Sequence, residues 1–304
     1  MSDDYLVDKR GTPDPEVQRL EELLADARYA PGKAKMQKPH RSIRAIPWAL
    51  AASLLVLGGS AAVLRAWRPW LPSFAVQWIG PDGQHAGKLR LGKWLETDAR
   101  TRALVAVANI GEVQLAPDSR LLLEATGPSE HRLLLARGAL QAKVNAPPRI
   151  FVVDTPTAKA VDLGCEYQLS VDANGTSVLR VLSGAVSLLG HDAETRVEAG
   201  YECETIPRSG PGLPVRFDAP SALRDAAHLV DHGDGAAWQA VIANAGAGDE
   251  PTLWHLLPRV GMAARERVQT RLGELVKSPA CRVPQIRAIN QAAMEDCWNA
   301  WHAP

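Results

Sequence analysis

The sequence predicts a membrane-anchored protein: one transmembrane helix, an all-β roll or sandwich in the exported part, and a small α-helical C-terminal region. Three observations predict it. Ala45 to Leu64 is an uncharged apolar run of about 20 residues, the length that crosses a bilayer's hydrocarbon core as a helix. From Leu104 to Thr205 short Val- and Leu-rich runs alternate with Gly, Pro and Asn, the texture of many short strands. After Pro220 the apolar period changes from two to about 3.6.

The apolar run organises the rest. Arg44 and Arg65 close it, and Lys33, Lys35, Lys38 and Arg41 precede it, whereas Arg68 is the next basic residue after Arg65. This asymmetry places residues 1–44 in the cytoplasm and the remainder outside. Ser60-Ala61-Ala62 resembles a signal-peptide cleavage site, but the run exceeds a signal h-region of roughly 7–15 residues, so a retained anchor over 45–64 is expected. Trp48 on one side and Trp67, Trp70 and Trp78 on the other suit the headgroup level. The formal net charge of the 304 residues is zero, which implies no general attraction to nucleic acid.

The tail at 1–44 is too short for a sizeable core. One helix is legible over about 15–29, with Asp14 as N-cap, Pro15 at the first position and Val17, Leu20, Leu23, Leu24 and Ala27 at helical spacing. A segment this short cannot bury that stripe itself. Val17, Leu20, Leu23 and Leu24 are therefore candidates for binding a partner, with a solvated tail as the alternative.

Residues 65–95, rich in Pro, Gly and Trp, read as a stem, and 96–217 as the β domain. The clearest strand is Cys165 to Asp172, in which Cys165, Tyr167, Leu169 and Val171 alternate with polar residues. Asn174-Gly175 predicts a hairpin turn back into Ser177 to Leu182. An internal echo links Arg137-Gly138-Ala139-Leu140 with Ser183-Gly184-Ala185-Val186, and glycine there would let strands turn or approach closely at corners of a roll or sandwich. Cys165 and Cys203 fall on apolar faces of their strands. Two readings stand for them: a disulfide, contributing about 2–4 kcal/mol, or two buried free thiols.

In this region the chain resembles the FecR family. Gly111-Glu112-Val113-Gln114-Leu115, Pro117-Asp118-Ser119-Arg120 and Arg137-Gly138-Ala139-Leu140 are similar to the first half of its periplasmic domain. Ile150 to Pro156, Val161 to Tyr167, Val181 to Val186 and Ala199-Gly200 are similar to the second. The resemblance implies an all-β periplasmic domain on a single-pass inner-membrane regulator that relays a signal to a cytoplasmic sigma factor, with a protein partner on the periplasmic side. Two departures stand out: Cys165 where the family usually has Thr, and a tail lacking the larger, tryptophan-containing helical domain of members that bind sigma factors.

Residues 218–304 predict short helices at Leu223 to Val230 and Ala236 to Ala245, a third capped by Asp249, a fourth stepping through Val260, Ala264, Val268, Leu272 and Val276, and a last one after Pro284. Cys281 and Cys297 would come within disulfide reach only if the chain before that last helix folds back along it. His228 and His232 lie four apart, a spacing able to share a metal, but the sequence shows no third ligand and no metal site is expected from it. No Walker loop, dinucleotide fingerprint or nucleophile elbow is present, so neither catalytic residues nor a cofactor is expected. Two functions follow: a periplasmic signal-sensing regulator, or a non-catalytic envelope scaffold whose tail is only an anchor flank.

Overall fold

The computed structural model describes residues 15–23, 72–191 and 193–302. The chain divides into a unit over Met1–Ala66 and a unit over Trp67–Pro304. In the first, α1 spans Pro15–Leu23, and Leu20 and Leu23 are exposed. Leu24, the expected continuation to residue 29 and the apolar run 45–64 lie outside the described residues. No helix among the described residues is long and apolar enough to cross a membrane.

The second unit is mostly β-sheet, with a small C-terminal helical region. Its strands are β1 (Ser73–Gly80), β2 (Gly83–Arg90), β3 (Trp94–Glu96), β4 (Arg102–Val107), β5 (Gly111–Leu115), β6 (Arg120–Thr126) and β7 (His131–Val144). They continue as β8 (Phe151–Asp154), β9 (Lys159–Asp162), β10 (Glu166–Val171), β11 (Ser177–Ser183) and β12 (Ala185–Leu189). The last are β13 (Glu194–Glu198), β14 (Tyr201–Ile206), β15 (Gly210–Pro211) and β16 (Val215–Arg216). The stretch expected as a stem thus carries β1, β2 and most of β3. Phe74, Val76 and Leu89 are buried in the core, so the alternation within this segment outweighs its Pro and Gly content. Trp78, read as a membrane-edge residue, packs against the core and stacks on His85 at 5.6 Å.

The strand β7 builds the architecture. Its first half pairs with β6 and, in parallel, with β8, while its second half pairs with β5 and β10. The register switches between Arg137, opposite Arg120, and Gly138, opposite Val171. Gly138 has φ +89°, and a Cβ there would lie 2.2 Å from Ser119 Oγ, so only glycine passes this corner. The echo motif repeats the device. At Gly184, φ +72°, a Cβ would lie 2.2 Å from the Gly164 carbonyl, and the chain leaves β11 in one sheet to enter β12 in the other. One sheet runs β2-β1-β4-β5-β7-β10-β11-β14. The other runs β3-β6-β7-β8-β9-β12-β13. A single apolar core takes Val105, Val113, Ala142, Leu169 and Leu179 from the first and Leu121, Leu133, Val153 and Val186 from the second.

The helices are α2 (Ser221–Asp231), α3 (Trp238–Asn244), α4 (Glu250–Leu256), α5 (Met262–Val276) and α6 (Gln291–His302). They bury a second core including Leu223, Val241, Leu253, Val268, Leu272, Ile286 and Cys297. The period of four in α5 buries Ala264, Val268 and Leu272, as its spacing predicts. Asp249 precedes α4 but does not cap it. It is almost wholly buried and binds Arg216 Nε at 2.9 Å, tying the helices to β16.

The cysteines correct the sequence reading. Cys165 and Cys203 are free and buried, and the disulfide joins Cys281 to Cys297. Leu169, Leu179 and Cys203 lie side by side on β10, β11 and β14, and Cys165 lies four residues along the chain from Leu169. Strand spacings of about 4.8 Å and a rise of about 3.3 Å per residue then separate the two thiols by roughly 16 Å, beyond any disulfide. Conversely, the last helix begins only at Gln291, so Ile286 and Ile289 lie before it and not within it. Ile286 and the chain before it form 3₁₀ turns that fold back and bring the Cα atoms of Cys281 and Cys297 to 4.7 Å.

Candidate functional site

The outer face of the first sheet carries a row of side chains set by register. Gln77 lies opposite Leu104, Leu104 opposite Gln114, Gln114 opposite Gln141, and Gln141 opposite Gln168. The row continues through Arg180 to Glu202. With neighbouring strands about 4.8 Å apart, it extends for roughly 29 Å. The strict alternation of each strand explains it: Val105, Val113, Ala142, Leu169 and Leu179 point into the core, so each polar neighbour points out.

This face encloses a groove of about 570 Å³, lined also by Ile79, Arg102, Ala139, Ser170 and Val178. Gln141 Nε2 donates to Glu166 Oε1 at 2.8 Å and Gln168 Nε2 to Gln141 Oε1 at 3.5 Å. Arg180 closes one end, pairing with Glu202 at 3.1 Å and lying 4.6 Å over the Phe217 ring. The lining side chains include no Cys, Asp or Glu. Side-chain amides offer both donors and acceptors without charge, beside apolar Leu104, Ile79 and Val178. Such a surface offers hydrogen-bonding groups of both kinds beside apolar contact.

The sequence-read candidates are elsewhere. Burial pushes the Cys165 and Cys203 thiols up, and for Cys165 its contact with Asp162 adds to the shift. Both thiols are inert core groups, not reactive ones. Leu20 and Leu23 remain on the exposed surface of α1. His228 and His232 lie at the end of α2 with ring centroids 4.0 Å apart, and β14 brings Glu204 to them. Neither that third residue nor the glutamine row was legible beforehand, because strand register creates both. The alternating polar positions in each strand were the available signal, but no local pattern says which strands are neighbours.

The fold is a β-sandwich with an attached helical region. Residues 94–187 match the family model described as FecR protein, so this part of the sandwich is similar to that family, as the sequence motifs implied. Two crystal structures of a proposed anti-sigma factor from Parabacteroides distasonis ATCC 8503 are similar to parts of the chain. One is 14% identical, covering 44% of this chain and 63% of that one with a TM-score of 0.37. The other is 15% identical, covering 45% and 64% with a TM-score of 0.38. The chain thus spans less than two thirds of either. No curated protein matches it.

Proposed function

We propose that the protein is a signal-sensing regulator anchored in the inner membrane, with the sandwich in the periplasm and α1 in the cytoplasm acting on a sigma factor. The observation that carries this reading is the FecR match over residues 94–187. The apolar run 45–64 supports the anchor by its length. The exposed Leu20 and Leu23 supply the short apolar stripe through which a helix docks in a partner's groove. The glutamine-lined face is the receiving surface for a periplasmic protein partner, since its amides can bond an extended backbone while Ile79 and Val178 supply apolar contact.

In-cell cross-linking of the tail tests the reading. The native chain is expected to capture a sigma factor, and the Leu20→Asp, Leu23→Asp form to lose it. Recovery of no sigma factor with the native chain would reject transduction and leave the envelope scaffold.

A further inference from the structure

Glu204, His228 and His232 each offer one ligand atom, and these atoms all lie within 4.8 Å of one another. We propose that they bind a divalent transition-metal ion of the zinc class. This goes beyond the regulatory reading and does not depend on it.

The local structure shows why the three residues meet. In β14, Cys203 and Thr205 are buried, so Glu204 between them projects from the opposite face of the strand. In α2, Leu223, Ala226 and Ala227 are buried, which leaves His228 on the exposed side. His232 follows one turn later, its N–H donating to the His228 carbonyl at 3.0 Å. The two imidazoles therefore sit one above the other, and His228 Nδ1 lies 3.1 Å from Glu204 Oε2.

The last turn of α2 is held firmly against the strand. Asp231 accepts from the Leu213 N–H at 3.0 Å and binds Arg259 Nη1 at 2.7 Å. Gly212 permits the approach: a Cβ there would lie 2.3 Å from Asp231 Oδ2 and 2.9 Å from the Glu204 carbonyl. The ligands are thus carried on a strand and a helix whose separation is fixed, the condition for a preorganised site.

The donor set selects the ion. Two imidazole nitrogens and one carboxylate oxygen suit zinc, nickel or copper, while magnesium and calcium prefer all-oxygen shells. Bonds of about 2.0–2.2 Å in a tetrahedron put ligand atoms roughly 3.3–3.6 Å apart, so the cluster closes by about 1.2–1.5 Å at most. His228 and His232 are exposed, and rotation of their side chains supplies that movement. Water completes the fourth position. A simple His228–Glu204 ion pair is the competing account, and it gives His232 no role.

The test uses the untagged full-length chain in detergent, titrated with Zn²⁺ against a chromogenic chelator. The expected result is stoichiometric binding that weakens by about tenfold or more in each of His228→Ala, His232→Ala and Glu204→Gln. Co²⁺ should give a tetrahedral visible spectrum that the same variants abolish. All three side chains are partly or fully exposed, so unchanged circular dichroism will show that the variants fold. No binding by the native chain, affinity unchanged by His232→Ala, or full binding by the triple variant would overturn the proposal.

Discussion

The β-sandwich and the helical region that follows it are stabilised in different ways. The sandwich has one continuous core of Val and Leu side chains between two hydrogen-bonded sheets, and its buried charged groups are few. The helices are short, with α3 and α4 seven residues each, below the length at which an isolated helix is stable in water. Specific cross-links hold them: Arg259 with Asp231, Arg216 with Asp249, Tyr201 donating to the Gly248 carbonyl, and the Cys281–Cys297 disulfide. A domain rich in long-range ladders can rely on distributed burial. Short helices depend on individual bonds, so single substitutions should weigh more heavily there.

Removing the Arg259 clasp should break the comparison most strongly. Arg259 pairs with nearly buried Asp231 and also donates to the Pro211 and Gly212 carbonyls. Arg259→Ala is expected to cost about 3–5 kcal/mol by stranding that carboxylate, measured by chemical denaturation. Next comes the disulfide: Cys281→Ser with Cys297→Ser opens a 16-residue separation and should cost about 3 kcal/mol, with the loss confined to hydrogen exchange in α5 and α6. A counterpart in the sandwich is Gly138→Ala, expected to cost about 2–3 kcal/mol because φ is positive and Ser119 fills the space. If Gly138→Ala proved harmless, the two-sheet path of β7 would be wrong.

A smaller effect depends on pH. Burial first, and Arg259 second, lower the His255 pKa to about 3, and its Nε2 has no hydrogen-bond partner among the described residues. An unfolded histidine takes up a proton near pH 6.5, whereas the folded ring does not. Stability linked to His255 is therefore present above that pH and is lost progressively as pH falls toward 3. His255→Phe should flatten the decline between pH 7 and pH 5 in denaturation midpoints. The smallest change is expected at Tyr167, fully buried and with no hydrogen-bond partner for its hydroxyl among the described residues. Tyr167→Phe removes a polar group that gains nothing from burial and should be neutral or stabilising by up to about 1 kcal/mol; a loss above 2 kcal/mol would reveal a partner for that hydroxyl.

Much of the fold was legible where a local pattern has one physical meaning. The alternation from Tyr167 to Val171 forms β10, and Asn174-Gly175 lies in the turn that follows. The turn is wider than a two-residue hairpin: Asp172 Oδ1 accepts from both the Asn174 and Thr176 N–H groups. The period of four around Val268 forms α5. One local reading was wrong and one was left open, each for an identifiable reason. Pro and Gly in 65–95 suggested a stem because they punctuate short chains, yet Phe74 and Val76 pair β1 into the sheet. Placing Cys165 and Cys203 on inward faces was right, but a shared face does not imply proximity across three strands.

The sequence by itself determined the periodicities, the corner glycines and the motifs of a FecR-like region, because each depends on residues a few positions apart. Only the tertiary structure decided which distant positions meet: the glutamine row across β1 to β10, the pairing of Cys281 with Cys297, and Glu204 beside His228 and His232. Those meetings depend on strand register and on how turns fold back, and a shift of one residue would turn every side chain of a strand to its other face.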